Sequence, residues 1–218
     1  ILDVGCGTGV STWLLAQQGY RAAGIDNNAA MLNAAQHPPE DLIEPGLLIE
    51  PLDFAEMDLR QLDSPIGEVD LVLAIGGVMN AVQSLRDLEQ AFAQIARVVG
   101  VGKLFIFDMR TIRGLAHNVG DQDSVIFDNQ DDLLVMVRSQ FSYETLGSTR
   151  HYTIYQKHGI KWDRADEIHT ERGYPTQAVT AMLQRTRFDV LATLDPALNP
   201  FHAQLDPYGR VVFVARRQ

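Results

Sequence analysis

Short apolar runs alternate with helix-spaced polar stretches over the first part of the chain. Ile1–Val4 is an apolar strand, and Ser11–Gln18 (STWLLAQQ) reads as a helix closed by Gly19. Arg21–Ile25 is the next strand, ended by Asp26, and Asn27 or Asn28 caps a helix that runs to about Gln36 before His37-Pro38-Pro39 stops it. Leu47–Leu52 predicts a third strand ending at Asp53. Val69–Ile75 (VDLVLAI) predicts a fourth, apolar on both faces as buried parallel strands are. Leu85–Val99 is a long amphipathic helix with Ser84 as its cap, and Gly100 to Gly102 turn the chain into a fifth strand, Lys103–Asp108.

The period then changes. Residues 124–128, 133–143, 149–157 and 161–172 are rich in β-branched and aromatic side chains, with turn residues at Asp131-Asp132, Leu146-Gly147-Ser148 and His158-Gly159, which predicts an antiparallel meander. Pro175–Arg187 restores a helix, and Asp189–Leu194 with Val211–Arg216 make a closing strand pair. The expected fold is α/β: a mostly parallel, Rossmann-like seven-stranded sheet with helices on both faces and an antiparallel β insertion. The expected division is a cofactor-binding core over 1–109, a β-rich insertion over 110–173 that caps the acceptor side, and the final helix and strand pair over 174–218.

At 218 residues and 46% hydrophobic, the chain is long enough to bury a substantial core. No apolar run reaches the roughly 18 residues of a membrane span, so no membrane partner is expected. The single cysteine, Cys6, rules out an internal disulfide and fits a reducing, cytoplasmic compartment. No cysteine cluster or helical pair of histidines suggests a metal. Net charge is −10, carried by the first half: residues 1–109 hold 5 Lys+Arg against 15 Asp+Glu, and residues 110–218 hold 13 of each. An acidic surface without a dense basic run argues against a nucleic-acid partner.

The candidate chemistry begins in "DVGCGTG". Gly5, Gly7 and Gly9 fit GxGxG and miss the dinucleotide spacing GxGxxG by one residue, since position 10 is valine. Asp3 stands just ahead of the turn. A carboxylate there repels a pyrophosphate and suits an ammonium group. The glycines admit an adenosine-type ligand, and the helix after Gly9 offers free N–H groups to a carboxylate. Adenosine, ammonium and carboxylate together describe S-adenosylmethionine. Asp26, 21 residues after Gly5, is placed to bind a ribose diol, a role that nicotinamide enzymes share. Asp53 offers a carboxylate to an exocyclic amine and Phe54 an apolar face to a purine. Small apolar residues in "AIGGVMNAV" suit backbone contact with the ligand and a floor for the acceptor.

On these residues, "ILDVGCGTGVST", "GIDNNAAML", "PLDF", "VDLVLAIGGVMNAV" and "VGKLFIFDM" resemble the successive motifs of the class I S-adenosylmethionine-dependent methyltransferases. The later "DRADEIHTERGYP", "AMLQRTRFDVL" and "RVVFVARR" are similar to a small-molecule subgroup with a β insertion before the last helix. The resemblance implies that Asp3, Gly5, Gly7 and Gly9 line the methionine end of the cofactor and that Asp26 holds the ribose. It implies that Asn27 and Met31 flank the adenine, that Asp53 and Phe54 bind its amino edge, and that Ala74 and Ile75 contact the cofactor through backbone carbonyls. Relatives carry helices ahead of the first strand that partly cover the cofactor, so the chain starting at Ile1 is expected to be a fragment that binds loosely.

The implied reaction is methyl transfer to an N or O atom of a small molecule by in-line displacement. The alternatives are a non-catalytic S-adenosylmethionine-binding subunit and an NAD-type oxidoreductase. The [D/N]-P-P-[Y/F] signature of nucleic-acid base methylation is absent after strand four. In "DEIHTERGYP" alternation puts Glu167, His169 and Glu171 on one face. His169 is the candidate base, with Tyr174 or Arg172 binding the acceptor. Cys6 fills a turn that needs a small residue and is not expected to act as a nucleophile.

Overall fold

The computed structural model describes residues 1–39, 42–43, 52–62, 67–119 and 122–218. The first half builds the parallel strands β1 (Leu2–Val4), β2 (Ala23–Asp26), β3 (Asp53–Glu56) and β4 (Val69–Ala74), then β5 (Val99–Arg110). Helices α1 (Val10–Gln17), α2 (Ala29–Ala35) and α3 (Leu85–Val98) lie between them. A three-residue helical turn, α4 (Ile112–Gly114), continues as a π-helical segment Leu115–Val119, and α5 (Thr176–Arg185) precedes β10 (Phe188–Leu194) and β11 (Arg210–Arg217).

The seven strands order as β10-β11-β5-β4-β1-β2-β3. β1, β2, β3, β4 and β5 pair in parallel, and β11 runs antiparallel to both β5 and β10. The carboxyl ends of β1 to β5 therefore share one edge, where open α/β sheets bind ligands. β1 has only three residues, all buried, because it is central and covered on both faces. Amphipathic α3 turns Leu88, Phe92 and Ile95 inward onto β5. There Phe107 stacks on Phe105 at 4.6 Å and on Phe213 at 4.9 Å between ring centroids, which ties β5 to β11.

Two sequence expectations change. The third strand is Asp53–Glu56; residues 47–51 of the expected strand lie outside the described residues. Asp53 thus opens the strand and does not end it. The glycines at 100 and 102 sit inside β5. Val69 pairs with Val99 and Leu71 with Leu104, so two steps on β4 span five on β5 and the extra residues bulge outward.

A second sheet of four antiparallel strands follows the core: β6 (Gln122–Asp128), β7 (Leu133–Ser142), β8 (Gly147–His158) and β9 (Lys161–Arg172), in sequential order. Its junction with the core is hydrogen-bonded through Asn80. This buried side chain donates from Nδ2 to the carbonyls of Arg110 (3.0 Å) and Arg172 (2.8 Å) and accepts from Arg110 N at 2.7 Å.

Candidate active site

The glycine turn after β1 is held against β2, with Gly5 N and Cys6 N both donating to the Ile25 carbonyl at 2.7 and 3.0 Å. Gly5, Gly7 and Gly9 all have positive φ (68°, 55° and 78°), but for different company. A Cβ on Gly5 would stand 2.5 Å from Val78 Cγ2, and one on Gly9 would meet Ala35 Cβ at 2.9 Å and Phe54 at 3.0 Å. At Gly7 there is open space, so only the backbone conformation requires glycine.

Asp3 is the middle residue of β1. Only 1% exposed, it accepts from Ser11 Oγ (2.5 Å) and Thr12 Oγ1 (2.7 Å), and it is not among the residues lining the cleft below. Burial raises its carboxyl above the usual carboxylate range, and the two hydroxyls pull it partly back. A carboxylate on a strand covered on both faces must find donors inside, and the first turn of α1 supplies them. Burial, with the charges of Asp3 and Asp26, pushes the Cys6 thiol up to about 12, so it stays protonated and unreactive.

A cleft of about 390 Å³ opens over the strand tips, lined by Val4, Gly5, Ile25, Asp26, Asn27, Met57, Asp58 and, from the far side, Val78 and Ala81–Gln83. Asp26 ends β2 with its carboxylate already fixed: Oδ2 accepts from Gly7 N and Oδ1 from Asn28 N, each at 2.9 Å. Asn28 is the cap of α2, accepting from Ala30 N and Met31 N. Asn27 lies in the cleft lining; Met31, 42% exposed on α2, does not.

Asp53 and Phe54 are also placed elsewhere. Exposed Asp53 pairs with Ala23 at the amino end of the sheet edge. Phe54 fills the space left by two glycines, since a Cβ on Gly24 would come within 2.7 Å of its ring, and it packs beside Trp13 at 6.3 Å. The carboxylate beyond the end of β3 is Asp58, missed because the strand was placed too early. It accepts from Arg60 N at 2.8 Å and from Arg60 Nη2 at 2.5 Å, and these bonds hold its carboxyl below the usual range. The signal in the sequence was "EMD", the first acid after an alternating run.

Ala74 is buried and Ile75 exposed, and neither lines the cleft. The loop beyond them is pinned from behind. Gly76 N and Gly77 N donate to Asp108 Oδ1 at 2.7 and 2.9 Å, while Asp108 Oδ2 pairs with Arg210. Both glycines have positive φ (102° and 81°), which aims consecutive N–H groups at one carboxylate and sets Val78 against Gly5. Asp108 was legible only as an acid ending an apolar strand.

On the second sheet, His169 Nε2 lies 3.1 Å from Glu167 Oε2, and its ring meets the Tyr152 ring edge-on at 4.9 Å. The histidine side chain is half exposed. Tyr174 is only 4% exposed, it donates its hydroxyl to the Val82 carbonyl at 2.5 Å, and burial pushes it up to about 12. Its one hydroxyl proton is committed to that bond. Arg172 donates to the Gln83 carbonyl at 2.6 Å. Among the described residues, no group of three or more His, Cys, Asp or Glu side chains could hold a metal, and no helix is long and apolar enough to cross a membrane.

A family model described as "Methyltransferase domain" matches residues 1–102. "Putative methyltransferase YqeM" of Bacillus subtilis (strain 168) is 26% identical over 190 residues, covering 87% of this chain and 73% of that protein. The crystal structure of an S-adenosylmethionine-dependent methyltransferase from Clostridium acetobutylicum ATCC 824 shares the fold with a TM-score of 0.83, at 22% identity over 99% of this chain and 82% of that one. So does CalS10, an amino pentose methyltransferase from Micromonospora echinaspora solved with S-adenosylmethionine bound, with a TM-score of 0.72 at 17% identity over 100% and 82% of the two chains. Residues 1–102 thus match a methyltransferase-domain family model, and the whole chain shares its fold with solved S-adenosylmethionine-dependent methyltransferases.

Proposed function

We propose that this chain transfers a methyl group from S-adenosylmethionine to a nitrogen or oxygen atom of a small molecule. The observation that carries the reading is the cleft over the strand tips, where a glycine turn and two carboxylates, Asp26 and Asp58, share one wall. The donor set fits the cofactor. Asp26 suits ribose hydroxyls, Asp58 with Asn27 the adenine edge, and the side-chain-free face of Gly5 and Gly7 the methionine end. When bound, the cofactor supplies a methyl group on a positively charged sulfur, open to attack by a lone pair.

The protein's task is then alignment. Holding acceptor and donor in line contributes up to about 7–11 kcal/mol of the barrier in an ideal arrangement. The pinned loop Gly76–Val78 provides a rigid floor, because Asp108 fixes two of its N–H groups. The second sheet caps the acceptor side. Where the acceptor must lose a proton, His169 takes it, with Glu167 stabilising the imidazolium; Thr170, one residue on, accepts from Gln83 at the cleft rim.

Calorimetric titration with S-adenosylhomocysteine tests the binding half: saturable binding is expected, and Asp26→Asn weakens it by about tenfold or more. Binding of NADH with no binding of S-adenosylhomocysteine would instead favour the oxidoreductase reading. Incubation with labelled methyl donor and a metabolite pool, followed by mass analysis, tests turnover. Binding without any labelled product would leave a non-catalytic subunit.

A further inference from the structure

Two arginines and one carboxylate meet where the second sheet joins the core. Glu171 on β9 is only 7% exposed; both its oxygens accept from Arg110 Nη1 at 2.5 Å, and Oε2 also accepts from Arg150 Nη2. Arg110 ends β5 and Arg150 stands on β8 opposite His169, while Arg172, next after Glu171 on β9, alternates to the other face. Arg172 has a backbone carbonyl, that of Gln83, as its hydrogen-bond acceptor. Two positive charges thus face one negative charge, in a chain whose overall charge is −10.

The same place collects unmet hydrogen-bonding capacity. Ser148 Oγ, Arg150 Nε and Arg172 Nε are the buried side-chain nitrogen and oxygen atoms without a partner among the described residues, and the first two lie on the Glu171 face of the sheet. Ser148 is 2% exposed and pairs with Glu171 across β8 and β9. Ser148 and Glu171 also line a cavity of about 400 Å³, together with Thr145, Thr149, Thr170 and Gln83. Gln83 lines the cofactor cleft as well, so the two spaces adjoin. Glu171 Oε1 lies 3.5 Å from where a Cβ would stand on Gly77, which puts the cluster against the loop that floors the cleft.

A cluster with surplus positive charge and orphaned donors lacks an anionic oxygen. We propose that the methyl acceptor carries a carboxylate and that this cluster docks it; the proposal rests on the methyltransferase reading. Water satisfies a donor but leaves the charge uncompensated. A planar carboxylate matches the guanidinium fork, whereas a dianionic phosphate meets stronger repulsion from Glu171.

The test titrates the chain with succinate, succinamide and inorganic phosphate while following arginine Nε–H resonances by NMR, and separately with S-adenosylhomocysteine by calorimetry. Succinate is expected to saturate and to move the Arg150 resonance, while succinamide leaves it in place. Arg150→Gln weakens succinate binding by about tenfold and holds S-adenosylhomocysteine affinity within about twofold. Equal responses to succinate and succinamide, tighter binding of phosphate, or unchanged succinate affinity in Arg150→Gln would overturn the assignment. Should Arg150→Gln fail to fold, Ser148→Ala removes an orphaned donor without breaking an ion pair. A loss of about threefold then supports the proposal and no loss overturns it. Succinate binding without S-adenosylhomocysteine binding strikes the methyltransferase reading and leaves the anion site standing.

Discussion

The two sheets of this molecule handle polar groups in opposite ways. In the parallel sheet, β1 is buried at every position, and its one acid, Asp3, is satisfied locally by Ser11 and Thr12 in the helix that follows. In the antiparallel sheet, β9 is exposed at ten of twelve positions, and its one buried acid, Glu171, is met by Arg110 and Arg150 from 61 and 21 residues away. The first arrangement is built from short-range sequence neighbours beside the glycine turn. The second is assembled from three separate strands where the two sheets join. The difference teaches that a binding cleft can combine a locally encoded half with a half that exists only once the chain has folded.

The sharpest contrast is in packing. Phe107→Ala, in the ring stack that ties β5 to β11, is expected to cost about 3–5 kcal/mol of stability. Trp162→Ala, at a half-exposed site on β9, is expected to cost about 1 kcal/mol or less. Chemical denaturation of both variants measures the contrast, and similar losses would blur it.

Within the glycine turn, Gly5→Ala adds a clash with Val78 to the positive-φ strain, while Gly7→Ala adds strain alone. The expected losses are about 2–4 kcal/mol for Gly5→Ala and about 1 kcal/mol for Gly7→Ala in the same experiment. Reversal of that order would show that Val78 gives way.

The strand boundary makes a third comparison. Asp58→Ala is expected to lower S-adenosylhomocysteine affinity about tenfold, or about 1.4 kcal/mol, while Asp53→Ala leaves it nearly unchanged. Equal effects would restore Asp53 to the site.

The smallest effect is in pH dependence. Asp3 has a folded-state carboxyl above its unfolded value, so the folded protein holds the proton more tightly. Its contribution to stability is greatest below the ordinary carboxylate range and falls as pH rises through the raised value. Subtracting the stability–pH profile of Asp3→Asn from that of the wild type isolates this term: the difference should decline with rising pH. A difference that grows with pH would mean that the two hydroxyls outweigh burial.

How much of this was legible follows from range. The helix starts at Asn28 and Ser84, the strand alternation and the glycine turn depend on neighbours within a few residues, and the sequence states them directly. Asp26 was found because its spacing from Gly5 reflects one βαβ step. Asp58 was displaced by a strand boundary, where an apolar run gives no sharp edge. Asp108, Asn80 and the Arg110–Glu171–Arg150 cluster stayed hidden because their partners are distant in sequence, and only the sheet registers bring them together. Tyr174 looked available because a sequence shows a hydroxyl but not the Val82 carbonyl that occupies it.

Amide chemical-shift mapping with S-adenosylhomocysteine tests the central claim most directly. The cleft over β1, β2 and β3 predicts that the amides of Gly5, Gly7, Asn27, Asp58 and Val78 move together and saturably, while those of β6 stay in place. Shifts confined to the second sheet, or shifts at Gly5 and Asn27 with NADH and none with S-adenosylhomocysteine, would contradict it.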